Sequence, residues 1–308
     1  MSPPHDLDAR TWRQLRVEAT ERLVDAVGDA APVEARWIIL EASGLDDADL
    51  LVDDDEPAPA LARHRIEAMI ERRRAGEPLQ YVLGSWQFRG IDLMVDRRVL
   101  IPRPETEVVV QVAIDELVAG GARVGRTDPW AAGVTEFAVA DLGTGSGAIA
   151  LALAAELPDA AVWATDVSDD ALAVARANLS SIGTAATRVR VVAGDWFDAL
   201  PIELLGGLRL IVSNPPYVTA AEHPALPADV RDHEPYGALV SGETGLEDVE
   251  HLIAHAGEWL EPGGALVVEL APHQADAAVA RARAAGFATA EVRPDLTGRP
   301  RALLARRV

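Results

Sequence analysis

The sequence predicts an α/β fold, a mostly parallel sheet covered by helices on both faces, preceded by a small helical domain and a β-hairpin linker. Three observations predict it. From Thr106 onward helical and strand patterns alternate, the order expected of parallel strands joined by helical crossovers. Before residue 85 the apolar residues recur at helical spacing. Between the two lies a run of period-two alternation, closed by Pro102 and Pro104.

In chain order, residues 8–27 place Trp12, Leu15, Leu23, Val24 and Val27 at helical spacing, and Pro32 opens a second helix that runs to Ser43-Gly44. After an Asp-rich stretch at 53–55 and the breakers Pro57 and Pro59, Leu61, Ile66, Met69 and Ile70 mark a further amphipathic helix, closed by Gly76. Residues 1–85 are therefore expected to form the helical domain. Phe88 to Val95 alternates and Val99-Leu100-Ile101 follows, which predicts a hairpin or short strand pair as the linker over 86–104. Residues 105–308 then carry the sheet, with strands expected at 138–142, 162–166, 189–192, 208–212 and 265–270. The segments 288–292 and 302–305 can supply two last strands, a terminal antiparallel pair being one arrangement.

Composition narrows the function. At 308 residues and 49% hydrophobic content, the chain can build one large α/β domain and a smaller one, and is too apolar to be disordered. No apolar run approaches the roughly 18 to 20 residues of a membrane span. Charges begin at the sixth residue, without an apolar stretch and cleavage site, so a cytoplasmic location is expected. With no cysteine, disulfides, thiolate metal sites and cysteine nucleophiles are excluded. The net charge of -21 repels phosphate backbones, which makes nucleic acid a poor expectation as substrate.

Val139 to Ala148 reads as a strand, a glycine-rich turn and the start of a helix. Gly143, Thr144, Gly145, Ser146 and Gly147 let the backbone approach a ligand closely while the helix presents free N–H groups. On its own the turn also fits a dinucleotide fingerprint. Asp166, at the end of the next strand, can accept hydrogen bonds from both hydroxyls of a ribose, in NAD or in S-adenosylmethionine alike. A helix N-cap is its alternative role, although Ser168 or Asp169 suits that place better. Gly194-Asp195-Trp196-Phe197 then offers a carboxylate and a large aromatic suited to an adenine's amino group and ring face.

The chemistry rests on Ser213-Asn214-Pro215-Pro216-Tyr217, directly after the fourth strand of the sheet domain. An amide or exocyclic amine nitrogen is a weak nucleophile because its lone pair is delocalised, so a site must hold both N–H bonds and aim the nitrogen. The Asn214 side-chain oxygen and the Pro215 carbonyl can accept those bonds, the prolines stiffen the backbone, and Tyr217 can lie against a flat acceptor. Asn214 to Tyr217 are thus the expected catalytic residues. No strong base and no metal are needed, because a sulfonium already activates its methyl group.

With these residues in place, the sequence resembles the HemK-type family of peptide-chain release factor glutamine methyltransferases along most of its length. The resemblance is carried by Pro78 to Gly84 with Phe88 and Gly90, by Ile101-Pro102-Arg103-Pro104-Glu105-Thr106-Glu107, and by the motifs above in family order. It extends through Glu234-Pro235, Gly242, Gly245-Leu246, Pro262-Gly263-Gly264 and Asp295-Leu296-x-Gly298-Arg299-x-Arg301. It implies a seven-stranded Rossmann-like methyltransferase sheet and S-adenosyl-L-methionine as co-substrate. The implied reaction is methylation of the side-chain amide of the glutamine in the Gly-Gly-Gln motif of class 1 release factors, modulating translation termination. It further implies that Gly143 to Gly147, Asp166, Trp196 and Asn214 contact the cofactor, that Asn214 to Tyr217 grip the glutamine, and that Arg103 to Glu107 close over the site. One departure lies in 269–274, where a glycine is expected before Gln274.

Rivals are a glutamine methyltransferase of a ribosomal protein, from whose pattern the intact Pro-Arg-Pro-Glu-Thr-Glu departs, and an adenine methyltransferase of nucleic acid, against which the acidity argues. An NAD-dependent oxidoreductase has no use for Asn-Pro-Pro-Tyr, and a binding module that has lost turnover would not need an intact site. Because a lone glutamine offers little surface for specificity, the helical domain and hairpin are expected to recognise the body of a folded protein substrate, without contact to membrane or nucleic acid.

Overall fold

The computed structural model describes residues 10–125 and 135–308. Residues 1–9 of the N-terminal stretch read for a leader, which include the first two residues of the helix expected over 8–27, lie outside the described residues. The chain divides into two compact units. One runs to Gly84 and takes in Pro227–His233; the other comprises Ser85–Leu226 and Glu234–Val308. No helix among the described residues is long and apolar enough to cross a membrane.

The first unit is helical. Thr11 caps α1 (Trp12–Val27) in a reciprocal capping box with Gln14. Helix α2 (Ala31–Ser43) has Pro32 in its first turn and stops at left-handed Gly44. Helices α3 (Asp47–Val52), α4 (Ala60–Arg74) and α5 (Leu79–Leu83) follow, and the later short helix at Ala228–His233 belongs to the same unit. Trp12, Leu23, Ile38, Ile39, Ile66 and Ile70 form its core. Leu61 and Val24, expected on buried faces, are 65% and 50% exposed instead. The apolar stripe of α4 is carried by Ala62, Ile66, Met69 and Ile70.

The second unit opens with a hairpin, β1 (Ser85–Phe88) and β2 (Ile91–Met94). Its turn residues Arg89 and Gly90 both have positive φ, 48° and 74°, the geometry that matches strand twist across a two-residue loop. The hairpin therefore turns inside the alternating run. Val99-Leu100-Ile101 is not a strand: the Val99 N–H closes a turn onto the Asp96 carbonyl at 3.1 Å, and Pro102 stops extension.

After α6 (Pro104–Ala119) come β3 (Phe137–Leu142), α7 (Ala148–Glu156), β4 (Ala160–Asp166), α8 (Asp169–Asn178), β5 (Val189–Ala193) and β6 (Leu208–Ser213). Short helices α9 (Ala228–His233) and α10 (Tyr236–Leu239) precede α11 (Glu247–Trp259), β7 (Leu260–Glu269), α12 (Ala275–Ala284), β8 (Thr289–Pro294) and β9 (Pro300–Arg306). The seven strands are ordered β5-β4-β3-β6-β7-β9-β8, parallel from β5 to β7, with β9 antiparallel to both its neighbours. This is the seven-stranded Rossmann-like sheet, and its last two strands are the antiparallel pair.

Both faces are covered. Val139, Leu210 and Val267 face α6 and α7, whereas Ala140, Ile211 and Leu266, each adjacent to one of them on the same strand, face α11 and α12, as period-two alternation requires. Strands buried on both faces read as continuous apolar runs. Helix α7, AIALALAAE, is buried nearly all round. The order in which strands are added reverses between the parallel neighbours β3 and β6, and the crevice where such sheets bind ligands lies outside their carboxyl ends at that point.

Candidate active site

The site begins where β3 ends. Gly143, Gly145 and Gly147 have φ of 72°, 57° and 87°, a left-handed succession that only glycine adopts without strain. The Asp141 carboxylate holds the turn from beneath, accepting from the Thr144 hydroxyl at 2.6 Å and the Ala150 N–H at 3.0 Å. Burial pushes its pKa up to about 7, the Asp166 charge adding to the rise.

Asp166, at the end of β4, accepts from the Gly145 N–H at 2.8 Å through one oxygen and the Ser168 N–H at 2.9 Å through the other. Ser168 caps α8, so Asp166 is not the cap. Its carboxyl is raised above the ordinary range, chiefly by burial. After β5, Gly194 packs so closely that a Cβ there would meet the Ala199 Cβ at 2.7 Å. Trp196 follows with φ 42°, a conformation unusual for a bulky residue. Its ring reaches the glycine turn: a Cβ on Gly143 would stand 3.3 Å from Trp196 Cζ3.

Asn214-Pro215-Pro216-Tyr217 leaves β6 beside this turn. The Ser213 hydroxyl donates to the Leu142 carbonyl at 2.6 Å, joining the ends of β3 and β6. Asn214 donates its side-chain N–H to the Thr106 hydroxyl at 3.2 Å, and Thr106 donates to Glu269 at 2.7 Å. Thr106 lies in the first turn of α6, so the Arg103 to Glu107 segment stands against Asn214. Arg103 itself pairs with buried Glu234 at 2.5 Å. Burial pushes Glu269 up to about 7, against the Thr106 hydrogen bond and the charge of Arg301. Tyr217 is pushed up to about 12 by burial and by the charge of Glu269.

Gln274 supplies the remaining brace. Its amide nitrogen donates to the carbonyls of Tyr217 and Gly245, at 3.1 and 2.8 Å, while its oxygen accepts from the Ala271 N–H. The loop at 269–274, whose role the sequence left open, thus holds the far end of Asn-Pro-Pro-Tyr.

A cavity of about 380 Å³ lies among these ends, of a size that takes a small organic ligand. Gly143, Thr144, Gly145, Ser146, Asp166, Trp196, Asn214 and Pro216 line it, together with Leu100 and Thr106. Gly147, Pro215 and Tyr217 are not among the lining residues: Gly147 is the N-cap of α7 and Pro215 is buried. Sequence reasoning did not single out Thr106, Glu269 and Gln274 individually, although the segments containing the first and the other two drew notice.

Two family models match the sequence, the PrmC N-terminal domain over residues 14–84 and the Methyltransferase small domain over residues 132–227. The chain is 41% identical over 295 residues to the release factor glutamine methyltransferase of Deinococcus radiodurans, covering 96% of this chain and 98% of that one. To the release factor glutamine methyltransferase of Moorella thermoacetica it is 41% identical over 300 residues, covering 96% and 99%. Among solved structures, the hMettl16 catalytic domain in complex with MAT2A 3'UTR hairpin 6 matches with a TM-score of 0.52 at 16% identity over 80% of this chain and 81% of that one, a likeness of fold alone. Identity of this level along nearly the whole of both chains places the protein in the family of release factor glutamine methyltransferases.

Proposed function

We propose that this protein transfers the methyl group of S-adenosylmethionine to the side-chain amide nitrogen of the glutamine in the Gly-Gly-Gln motif of class 1 release factors, in the cytoplasm. The observation that carries the reading is the position of Asn214, beside the glycine turn, with its amide nitrogen already committed to Thr106. Its oxygen is left to accept a hydrogen bond from a substrate amide.

The residues present fit the co-substrate. The backbone at Gly143 is open where a Cβ would press on the Trp196 ring, and Asp166 reaches the same cavity from β4. Gly143 to Gly147, Asp166, Trp196 and Asn214 would hold it, Asp166 accepting from ribose hydroxyls and Trp196 lying against the adenine. When bound, it supplies an electrophilic methyl group on a cationic sulfur.

Asn214 and the Pro215 carbonyl accept the two N–H bonds of the glutamine amide, fixing its plane and aiming its nitrogen. Pro215 and Pro216 deny the loop freedom to drift, and Tyr217 supports the flat acceptor. The gain comes from alignment and fixed dipoles, which in oriented systems is worth several orders of magnitude in rate. The helical residues 1–85 and the linker 86–104 recognise the body of the release factor, and residues 105–308 carry the transfer.

The test is transfer of labelled methyl groups to a purified class 1 release factor, to the same factor with its Gly-Gly-Gln glutamine changed to alanine, and to a ribosomal-protein mixture. Label confined to the unaltered release factor is expected. Label in the altered factor or in ribosomal proteins would transfer the assignment to another substrate.

A further inference from the structure

Two buried side chains, Glu269 and Thr106, are linked in a chain that ends on Asn214. The carboxamide of Asn214 has two ends of nearly equal shape, an acceptor oxygen and a donor NH2. Only one orientation can receive a substrate amide that itself offers two N–H bonds; the reverse orientation sets donors against donors. Asn214 therefore needs an instruction, and the network behind it supplies one. An ionised carboxylate accepts and never donates. Facing an ionised Glu269 at 2.7 Å, the Thr106 hydroxyl must spend its hydrogen on that carboxylate. It then offers only a lone pair to Asn214, which answers with Nδ2 at 3.2 Å. The Asn214 oxygen is turned the other way. Thr106 is 3% and Glu269 1% exposed, so bulk water competes little for the bond between them.

We propose that Thr106 and Glu269 are positioning residues for methyl transfer, holding the Asn214 amide in the orientation that accepts the N–H bonds of the substrate. This rests on the glutamine reading above. Thr106 and Glu269 need not touch the reacting atoms; they act through Asn214. Protonation of Glu269 would let it donate to Thr106, the hydroxyl could then donate to the Asn214 oxygen, and the direction of the chain would be lost. The charged and titratable groups around Glu269 are Arg301 from β9, 4.0 Å away, Arg103 and Glu105 from the start of α6 and Tyr217 from the loop after β6. Arg301 and Arg103 favour the ionised form, and Glu105 opposes it.

The experiment uses the full chain, S-adenosylmethionine and a purified class 1 release factor, with kcat, KM and the dissociation constant for S-adenosylmethionine measured separately. Thr106→Val keeps the shape and removes the hydroxyl. It should lower kcat about ten-fold or more, the factor that corresponds to one lost hydrogen bond, while KM and cofactor affinity stay near wild type. Thr106→Ser should restore kcat to within about threefold, because the hydroxyl returns. Wild-type kcat should fall as pH falls through the titration of Glu269, and Glu269→Gln, which can donate as well as accept, should lower kcat likewise and remove that pH dependence. Wild-type kcat in Thr106→Val, a loss confined to KM or cofactor affinity, or failure of Thr106→Ser to rescue would overturn the proposal. Absence of methylation by the wild-type enzyme would instead overturn the glutamine reading, and this role with it.

Discussion

The Gln274 amide nitrogen lies 3.1 Å from the carbonyl oxygen of Tyr217, so the residue that ends Asn-Pro-Pro-Tyr is held from a loop more than fifty positions away. Gln274 is 2% exposed, and its bond to the Gly245 carbonyl is buried. Replacing the donor with an acceptor, Gln274→Glu, sets a carboxyl against two carbonyls. The expected cost is about 1–3 kcal/mol of stability, the size of a buried polar group left unmatched, together with a fall in kcat. Urea unfolding and methyl transfer measured on one preparation check both.

Gly245 is constrained from the same direction. A Cβ there would fall 2.6 Å from the Tyr217 carbonyl, and its φ is 73°. Gly245→Ala must therefore displace the Asn-Pro-Pro-Tyr segment or strain it. Turnover should fall while affinity for S-adenosylmethionine, measured by calorimetry, changes little, because the glycine turn after β3 is untouched.

Asp166 and Asn214 should separate binding from turnover. Asp166→Ala removes the acceptor of the Gly145 and Ser168 N–H groups as well as the proposed ribose contact. Cofactor binding should weaken by about 1.5–3 kcal/mol, as for hydrogen bonds to a charged group. Asn214→Ala should leave that affinity within a modest factor and remove most turnover, since what it loses is alignment. A normal dissociation constant in the first variant would take Asp166 out of the site; unchanged turnover in the second would end the mechanism.

Stability should fall as pH rises toward neutrality because of Asp141. Its ordinary value of 3.8 is raised to about 7 by burial, so between those values the folded chain binds a proton that the unfolded chain has lost. The contribution is complete below the unfolded value and disappears as pH rises through the folded one. Going from about pH 5 to about pH 8 should therefore lower the melting temperature more in wild type than in Asp141→Asn, which has no carboxyl to ionise at that position. Parallel curves for the two proteins would contradict the raised value.

Much of this was legible in the sequence because it is local. The glycine turn, Asp166 and Asn-Pro-Pro-Tyr each sit at the end of a strand, and apolar runs such as Val139 to Leu142 announce strands buried on both faces. Helices α3 and α5, six and five residues long, are too short to show a period. Val99 to Ile101 looked like a strand because burial, not pairing, makes it apolar. Thr106, Glu269 and Gln274 escaped individual notice because their partners are distant: Thr106 meets Glu269 across 163 positions, and no pattern of spacing encodes such a meeting.

The order of strands also bears on how the molecule comes together. Strand β9 follows β8 in the chain yet lies between β8 and β7, so β8 has no edge to join until β9 arrives. The two are linked by a tight turn at 295–299, where Asp295 accepts from the N–H groups of Thr297 and Arg299, and local pairing of this kind costs little closure entropy. The ribbon is thus expected to zip first and to enter the sheet as a unit, through β9 alone. Arg301 travels with it, and until that ribbon seats against β7 the carboxylate of Glu269 has no guanidinium from β9 beside it.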